Sequence, residues 1–303
     1  MFAQFFGHYL LNQGIITSSQ LQEAMASQKD TRVKLGVLAI NQEYMTASQV
    51  EQVHQTQMTM DKRFGEIAVE LGFLTEEQVE HLLSSQKSAH LLLGQALIDQ
   101  NVLTYDSFSE ALSRFKKENS LSDEQFASIM NGDIDTLISS VLLKEEKDRW
   151  RTDYISLFAK NLIRFVDTEI RIEIGNAAEV HSYDWFVSQE IATEHDAVSR
   201  KVAIGGDQPS FLRLASRYAD ESIKEADDMM QASVGEFLNL HNGIFLVNMS
   251  NNLHVELELK PQMVSNQRSE SDTGYHTLLH VIGSDFSIDL LISDLSVLVP
   301  EHL

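Results

Sequence analysis

Cysteine is absent from this chain of 303 residues. That excludes disulfides, thiolate metal sites and cysteine nucleophiles, and it fits a reducing compartment. Also missing is any run of 18 apolar residues, so no segment is expected to span a membrane. The start, MFAQFFGHYL, lacks the basic flank and small-residue cleavage site of a secretory signal, and a cytoplasmic location is expected. Basic side chains are scarce: 23 Lys and Arg stand against 45 Asp and Glu, a formal charge of −22. Residues 1–120 carry 9 basic and 14 acidic side chains and the remainder 14 and 31. A body so charged repels phosphate backbones and anionic lipid, which argues against a nucleic-acid partner. With three prolines in all, no Pro-rich linker divides the chain. Hydrophobic content of 43% at this length describes a soluble globular protein with room for two cores.

What is present is a sentence written four times. FGHYLLNQGIITSSQLQEAMASQ returns as LGVLAINQEYMTASQVEQVHQTQ, FGEIAVELGFLTEEQVEHLLSSQ and LGQALIDQNVLTYDSFSEALSRF, always 29 residues on. Gly7, Gly36, Gly65 and Gly94 keep that period, as do Thr17, Thr46, Thr75 and Thr104. A strict period of this size means one supersecondary unit packed on copies of itself, over residues 1–115. Each threonine is followed three residues later by Gln20, Gln49 or Gln78, a capping-box spacing that starts a helix; Ser107 is the exception. Each unit thus reads as a short helix, a tight turn near Gly14, Glu43, Gly72 or Asn101, and a longer helix.

The unit resembles the MshEN-type module at the front of type II secretion and pilus ATPases. That module opens with Arg-Leu-Gly, has glycine at its tenth position and ends in glutamine; Arg63, Phe64, Gly65, Gly72 and Gln86 reproduce most of it. The resemblance implies cyclic di-GMP as a possible ligand, held around Lys34, Arg63, Gly65 and Gly72. The other units depart from the pattern, with Phe5 and Leu92 in place of the opening cation and Glu43 and Asn101 in place of the glycine. A guanidinium that stacks and bridges phosphate has no substitute in Phe or Leu, so the alternative is a repeat array for packing or partner docking.

Residues 116–150 read as a helical connector, with a helix start at Ser122, a break at Asn131-Gly132 and a second run from Ile134 to about Lys147. From 151 to 303 the pattern mixes periods. YISLFAKNLIRFV is helical, EIRIEI alternates as a strand, residues 211–245 read as one helical stretch, and LHVELEL, HTLLHVIG and FSIDLLIS read as strands, the last two joined at Ser284-Asp285. The expected class is α+β, with a mostly antiparallel sheet and helices on one face.

On a wheel at 100° per residue, Ile223, Met230, Val234, Phe237, His241 and Phe245 gather on one side, and Asp228, Ala232, Gly235, Glu236, Asn239 and Gly243 on the other. The small residues around one carboxylate and one amide leave room for close approach of another backbone or protein. Gly235-Glu236-Phe237-Leu238-Asn239, with a glycine shortly after and Pro261 22 residues past the asparagine, resembles the signature of the CheC/CheX chemotaxis phosphatases. Ala232 departs from it, standing where the CheC motif has Asp or Ser. The helix from Tyr154 to Val166 has no Glu-x-x-Asn, so one site is implied, as in CheX.

The resemblance implies a phosphatase for the aspartyl phosphate of a CheY-like receiver. Glu236 would pair with the receiver's lysine, and the amide of Asn239 would hold a water in line with the phosphoryl group. The receiver would bring its own Mg²⁺, so no resident cofactor is expected, and a homodimer through this domain is possible, as in relatives. A non-catalytic receiver-binding adaptor is the alternative. His276 and His280 form a weak metal candidate. Asp285, Asp289 and Asp294 read as solvated strand and turn residues, and His241 as a core histidine. Motifs for ATPase, serine hydrolase or zinc protease chemistry are missing.

Overall fold

The computed structural model describes residues 1–28, 31–84, 89–177, 182–193, 199–253, 257–265 and 274–294. Contacts divide the chain into two bodies, Phe2–Asp133 and Ile134–Leu303 with Met1. The expected connector is shared between them: its first helix lies in the first body and its second in the other.

The first body holds the repeats as four helical hairpins: α1 (Phe2–Asn12) with α2 (Ser18–Ser27), α3 (Leu35–Asn41) with α4 (Ala47–Gln57), α5 (Phe64–Glu70) with α6 (Glu76–Ser84), and α7 (Ala89–Asp99) with α8 (Tyr105–Glu118), followed by α9 (Asp123–Met130). All four turns are alike. Gly14, Glu43, Gly72 and Asn101 are left-handed, with φ of 66°, 56°, 72° and 57°. In each, paired backbone bonds close the first helix, as when Gly72 donates to Val69 O and Phe73 to Ala68 O. Ser107 proves no exception to the capping boxes: Thr104 N–H donates to Ser107 Oγ at 2.8 Å and Ser107 N–H to Thr104 Oγ1 at 3.1 Å. A hydroxyl is long enough to accept there.

The period-setting glycines are explained by space. A Cβ on Gly7, Gly36, Gly65 or Gly94 would meet Leu21, Val50, Val79 or Phe108, always 14 residues on, at 2.7, 2.6, 3.0 and 2.4 Å. The two helices of each hairpin therefore touch at a bare backbone. The packing order of the hairpins is not their order in sequence. The second sits between the third and fourth, α4 against α5 and α8, while the first packs on the fourth through α1 and α7. Hairpins two and three exchange equivalent residues, Phe64 lying over Gly36 and Leu35 over Gly65.

The second body begins with α10 (Ile134–Leu137), continued by a π turn (Ile138–Leu142), and α11 (Arg149–Phe165). The helical run expected to reach Lys147 thus ends earlier. Then come β1 (Arg171–Gly175), β2 (Trp185–Thr193), β3 (Ser199–Gly206), α12 (Gln208–Ala219), α13 (Asp228–Leu253), β4 (Leu257–Leu259), β5 (Met263–Ser265), β6 (Tyr275–Ile282) and β7 (Ser287–Ser293). All pairs are antiparallel, in the order β1-β6-β7-β3-β2-β4, with β5 also on β2. The α+β expectation holds.

Residues 211–245 are not one helix. Asp220 is left-handed (φ 53°) and ends α12, and Asp227 caps α13 by accepting from Met229 and Met230 N–H. Of LHVELEL, Leu253 ends α13 and Leu257–Leu259 forms a strand, while residues 254–256 lie outside the described ones. Strands β2 and β3 have no counterpart in the sequence reading. The helices cover one face of the sheet, over Val187, Ile191, Val202, Ile204, Leu279 and Leu290, all fully buried. On the other face Tyr183, Phe186, Ala203, Tyr275, Leu278 and Leu291 form a second cluster.

Candidate functional site

Helix α13 carries the site. Met230, Val234, Phe237, His241 and Phe245 are buried on its core side, as the wheel requires. Ile223, assigned to the same face, precedes the helix and packs from the loop, its N–H donating to Ser216 Oγ. His241 is the expected core histidine. Its Nδ1 bonds Asn161 Nδ2 at 3.1 Å, its ring meets those of Tyr154 and Phe158 edge to face, and burial pushes its pKa down to about 3.

The outer stripe is open at its centre. Glu236 and Ala232 are exposed, and Asn239 and Gly243 are half-buried. Among the described residues, nothing lies within 4 Å of where a Gly243 Cβ would be. Gly235 differs: it is buried under Gln262, whose Nε2 donates to Gly235 O at 2.9 Å, and a Cβ there would stand 3.2 Å from Gln262 Oε1. Two large apolar side chains on the same stripe, Met229 and Val247, are 50% and 59% exposed. Tyr218 of α12 borders the stripe. Its hydroxyl pKa is raised by burial and, secondarily, by the charge of Glu236.

Asn239 is not a free surface amide. Its Oδ1 accepts from Gln189 Nε2 at 2.8 Å. Gln189 projects from β2 beneath α13 and is 2% exposed; its Nε2 also donates to Lys260 O (3.0 Å), and its Oε1 accepts from Asn242 Nδ2 (2.8 Å). Asn242 Oδ1 in turn accepts from the buried Tyr154 hydroxyl at 2.6 Å. Pro261 has its place here. Strands β4 and β5 run along β2 on either side of it, and the ladder break that a proline imposes leaves Lys260 O to the Gln189 side chain. Sequence reasoning missed Gln189, Asn242 and Tyr154. Asn242 offered a signal, three residues past Asn239 and so on an adjoining face; a glutamine in an unread strand offered none.

In the repeats, Lys34 is occupied. Its backbone N–H donates to Gln95 Oε1 (3.0 Å) and its Nζ pairs with Asp99 at 2.6 Å, tying the second hairpin to the fourth. It lines a groove with Glu51, His54, Asp99, Tyr105 and Asp106, an acidic setting. Arg63 is exposed at the start of α5 and does not line that groove. Gly65 packs against Val79 and Leu35, and Gly72 serves its left-handed turn. Gln86 lies outside the described residues.

Three of the remaining candidates, His280, Asp289 and Asp285, have structural partners. His280 Nδ1 pairs with Asp289 Oδ1 at 2.7 Å, and the Tyr183 hydroxyl donates to Asp289 Oδ2 at 2.8 Å, so Asp289 is not a solvated strand residue. Asp285 binds Arg213 and Arg217. His276 falls at a register shift in β6. Among the described residues there is no group of three metal-ligating side chains, and no helix is long and apolar enough to cross a membrane.

No family model and no curated protein matches the chain. Solved structures do. CheX of Borrelia burgdorferi, in its complex with CheY, is 15% identical, with a TM-score of 0.39, and the match covers 48% of this chain and 98% of that one. A CheC-like superfamily protein from a Shewanella species is 10% identical, TM-score 0.40, with 49% and 100% covered. FliY of Thermotoga maritima is 14% identical, TM-score 0.33, with 57% and 91% covered.

Proposed function

We propose that the second body is a phosphatase for the aspartyl phosphate of a response-regulator receiver, of the CheX kind, and that the repeats serve to dock a partner that localises or regulates it. The observation that carries this reading is the pair Glu236 and Asn239, one helical turn apart on the open stripe of α13, with the amide held from below. The stripe suits docking. Ala232 and Gly243 keep its middle low, and Met229 and Val247 offer apolar contact near its ends.

The chemistry asks little of this chain. The receiver supplies the phosphorylated aspartate and its Mg²⁺. Glu236 pairs with the receiver's lysine and fixes the approach. Asn239 holds a water in line with phosphorus. The water oxygen forms the new P–O bond, the bond from phosphorus to the aspartyl oxygen breaks, and its electron pair remains on the regenerated carboxylate. The water's protons leave with inorganic phosphate and solvent. Orientation of one water is the protein's contribution, a term worth orders of magnitude in rate.

The test is phosphate release from a panel of CheY-type receivers phosphorylated with acetyl phosphate. Wild-type chain should accelerate release from at least one of them. Asn239→Ala should lose the acceleration and keep binding, and Glu236→Lys should lose both. Binding without acceleration by the wild type would leave the adaptor role in its place.

A further inference from the structure

The amide chain beneath α13 has one fixed end, and that end settles every orientation in it. Lys260 O is a backbone carbonyl and can only accept. Gln189 must therefore turn its Nε2 toward it, across 3.0 Å. The same nitrogen then faces Asn239, 2.8 Å away, which must present its Oδ1. The other end of Gln189, Oε1, requires a donor from Asn242, which leaves Asn242 Oδ1 to accept from the Tyr154 hydroxyl. Turning any amide over would set donor against donor or acceptor against acceptor in a buried place, at the cost of unsatisfied groups. Among the described residues Asn239 Nδ2 has no protein partner, so the group left facing the stripe is the NH₂.

We propose that Gln189 is a positioning residue for Asn239: it locks the amide with Oδ1 inward and Nδ2 outward, so that Asn239 meets an incoming molecule as a hydrogen-bond donor in one fixed pose. This deepens the phosphatase reading and rests on it for its rate consequences. The attacking water is then gripped through its oxygen, one lone pair accepting from Nδ2–H and another free to point at phosphorus. Gln189 itself is too deeply buried to touch a receiver.

The experiment pairs kinetics with a spectroscopic measurement on the full chain. Gln189→Met keeps the length and apolar bulk of the side chain and removes all three bonds. In the phosphate-release assay kcat should fall ten- to a hundredfold, roughly, while KM for the phosphorylated receiver stays within about twofold of wild type, as expected of a residue outside the docking face. In parallel, ¹⁵N relaxation of the Asn239 side-chain amide should pass from a rigid to a flexible order parameter, about 0.85 to below 0.6 on the backbone scale. If Asn239→Ala abolishes the acceleration and Gln189→Met retains the wild-type kcat, the positioning role is wrong and the phosphatase reading stands. If the wild type accelerates nothing, that reading falls, and the order parameter alone decides: an amide equally rigid in Gln189→Met overturns the inference. Should Gln189→Met not fold, Gln189→Glu answers the same question. Its carboxyl, neutral in so buried a place, would donate its one O–H to Lys260 O and leave that oxygen an acceptor toward Asn239, which would turn its NH₂ inward; a wild-type kcat there overturns the proposal equally.

Discussion

Gly243 separates the demands of the helix from those of a docking face. It lies seven residues beyond Glu236, about 10 Å along the axis and 20° around it, so both share one stripe. Among the described residues nothing stands within 4 Å of its missing Cβ, and its backbone is helical. Gly243→Ala therefore meets no clash and recovers the helical cost of glycine, about 0.8–1 kcal/mol. For a body of this size the melting temperature should rise by about 2–4 °C. Gly235→Ala is the control. Its Cβ would press on the Gln262 amide at 3.2 Å, so the propensity gain is offset and the shift should be near zero or negative. Gly243→Trp then reads function: the indole has open space to occupy, the helix should survive, and a ring would now stand one turn past Asn239 on the stripe. Far-UV circular dichroism and thermal melts report the fold, and phosphate release from the phosphorylated receiver reports docking. We expect a folded protein that has lost acceleration chiefly through a raised KM. A folded Gly243→Trp with wild-type kcat/KM would refute the assignment of this stripe as the docking face.

Three further outcomes are expected. Gly94→Ala drives a methyl to 2.4 Å from the Phe108 ring, and overpacking should cost the first body about 1–3 kcal/mol, visible as an earlier transition in denaturant melts. His241 and His90 are both held neutral by burial, which pushes their pKa from the ordinary 6.5 down to about 3, so the unfolded chain binds more protons between those limits. Their contribution is whole above about pH 6.5 and falls by at most about 1.4 kcal/mol per pH unit per histidine as pH drops toward 3; imidazole resonances that titrate near 6.5 in the folded protein would contradict it. Calorimetry with cyclic di-GMP should give no heat, because Lys34 is engaged by Asp99 in an acidic groove, and heat lost on Arg63→Ala would overturn that expectation.

Local chemistry is readable where neighbours in sequence decide it. The threonine caps, the left-handed turns and the β6–β7 hairpin at Ser284-Asp285 all rest on groups a few residues apart. Sequence pattern fails where one residue type does another's work or where a contact from far along the chain outweighs it. Ser107 looks like an exception because it is not glutamine, though its hydroxyl does the same work. The break between α12 and α13 is hidden, because Asp220 in a left-handed conformation and Asp227 as a cap look in sequence like two more acidic residues on a helix. Asp289 looks solvated in sequence because its partners, Tyr183 and His280, reach it across the sheet.

By itself the sequence determined the four hairpins, the mixed class of the second half and the placement of Glu236 and Asn239 on one face of a helix, since period and spacing are properties of the chain. The tertiary structure alone decided that the hairpins pack out of sequence order, and that Asn239 is gripped by Gln189, 50 residues earlier. The physical reason is common to both: a side chain's pattern fixes which way it points, but the partner it finds depends on which segments the folded chain brings beside it, and burial makes that partner obligatory.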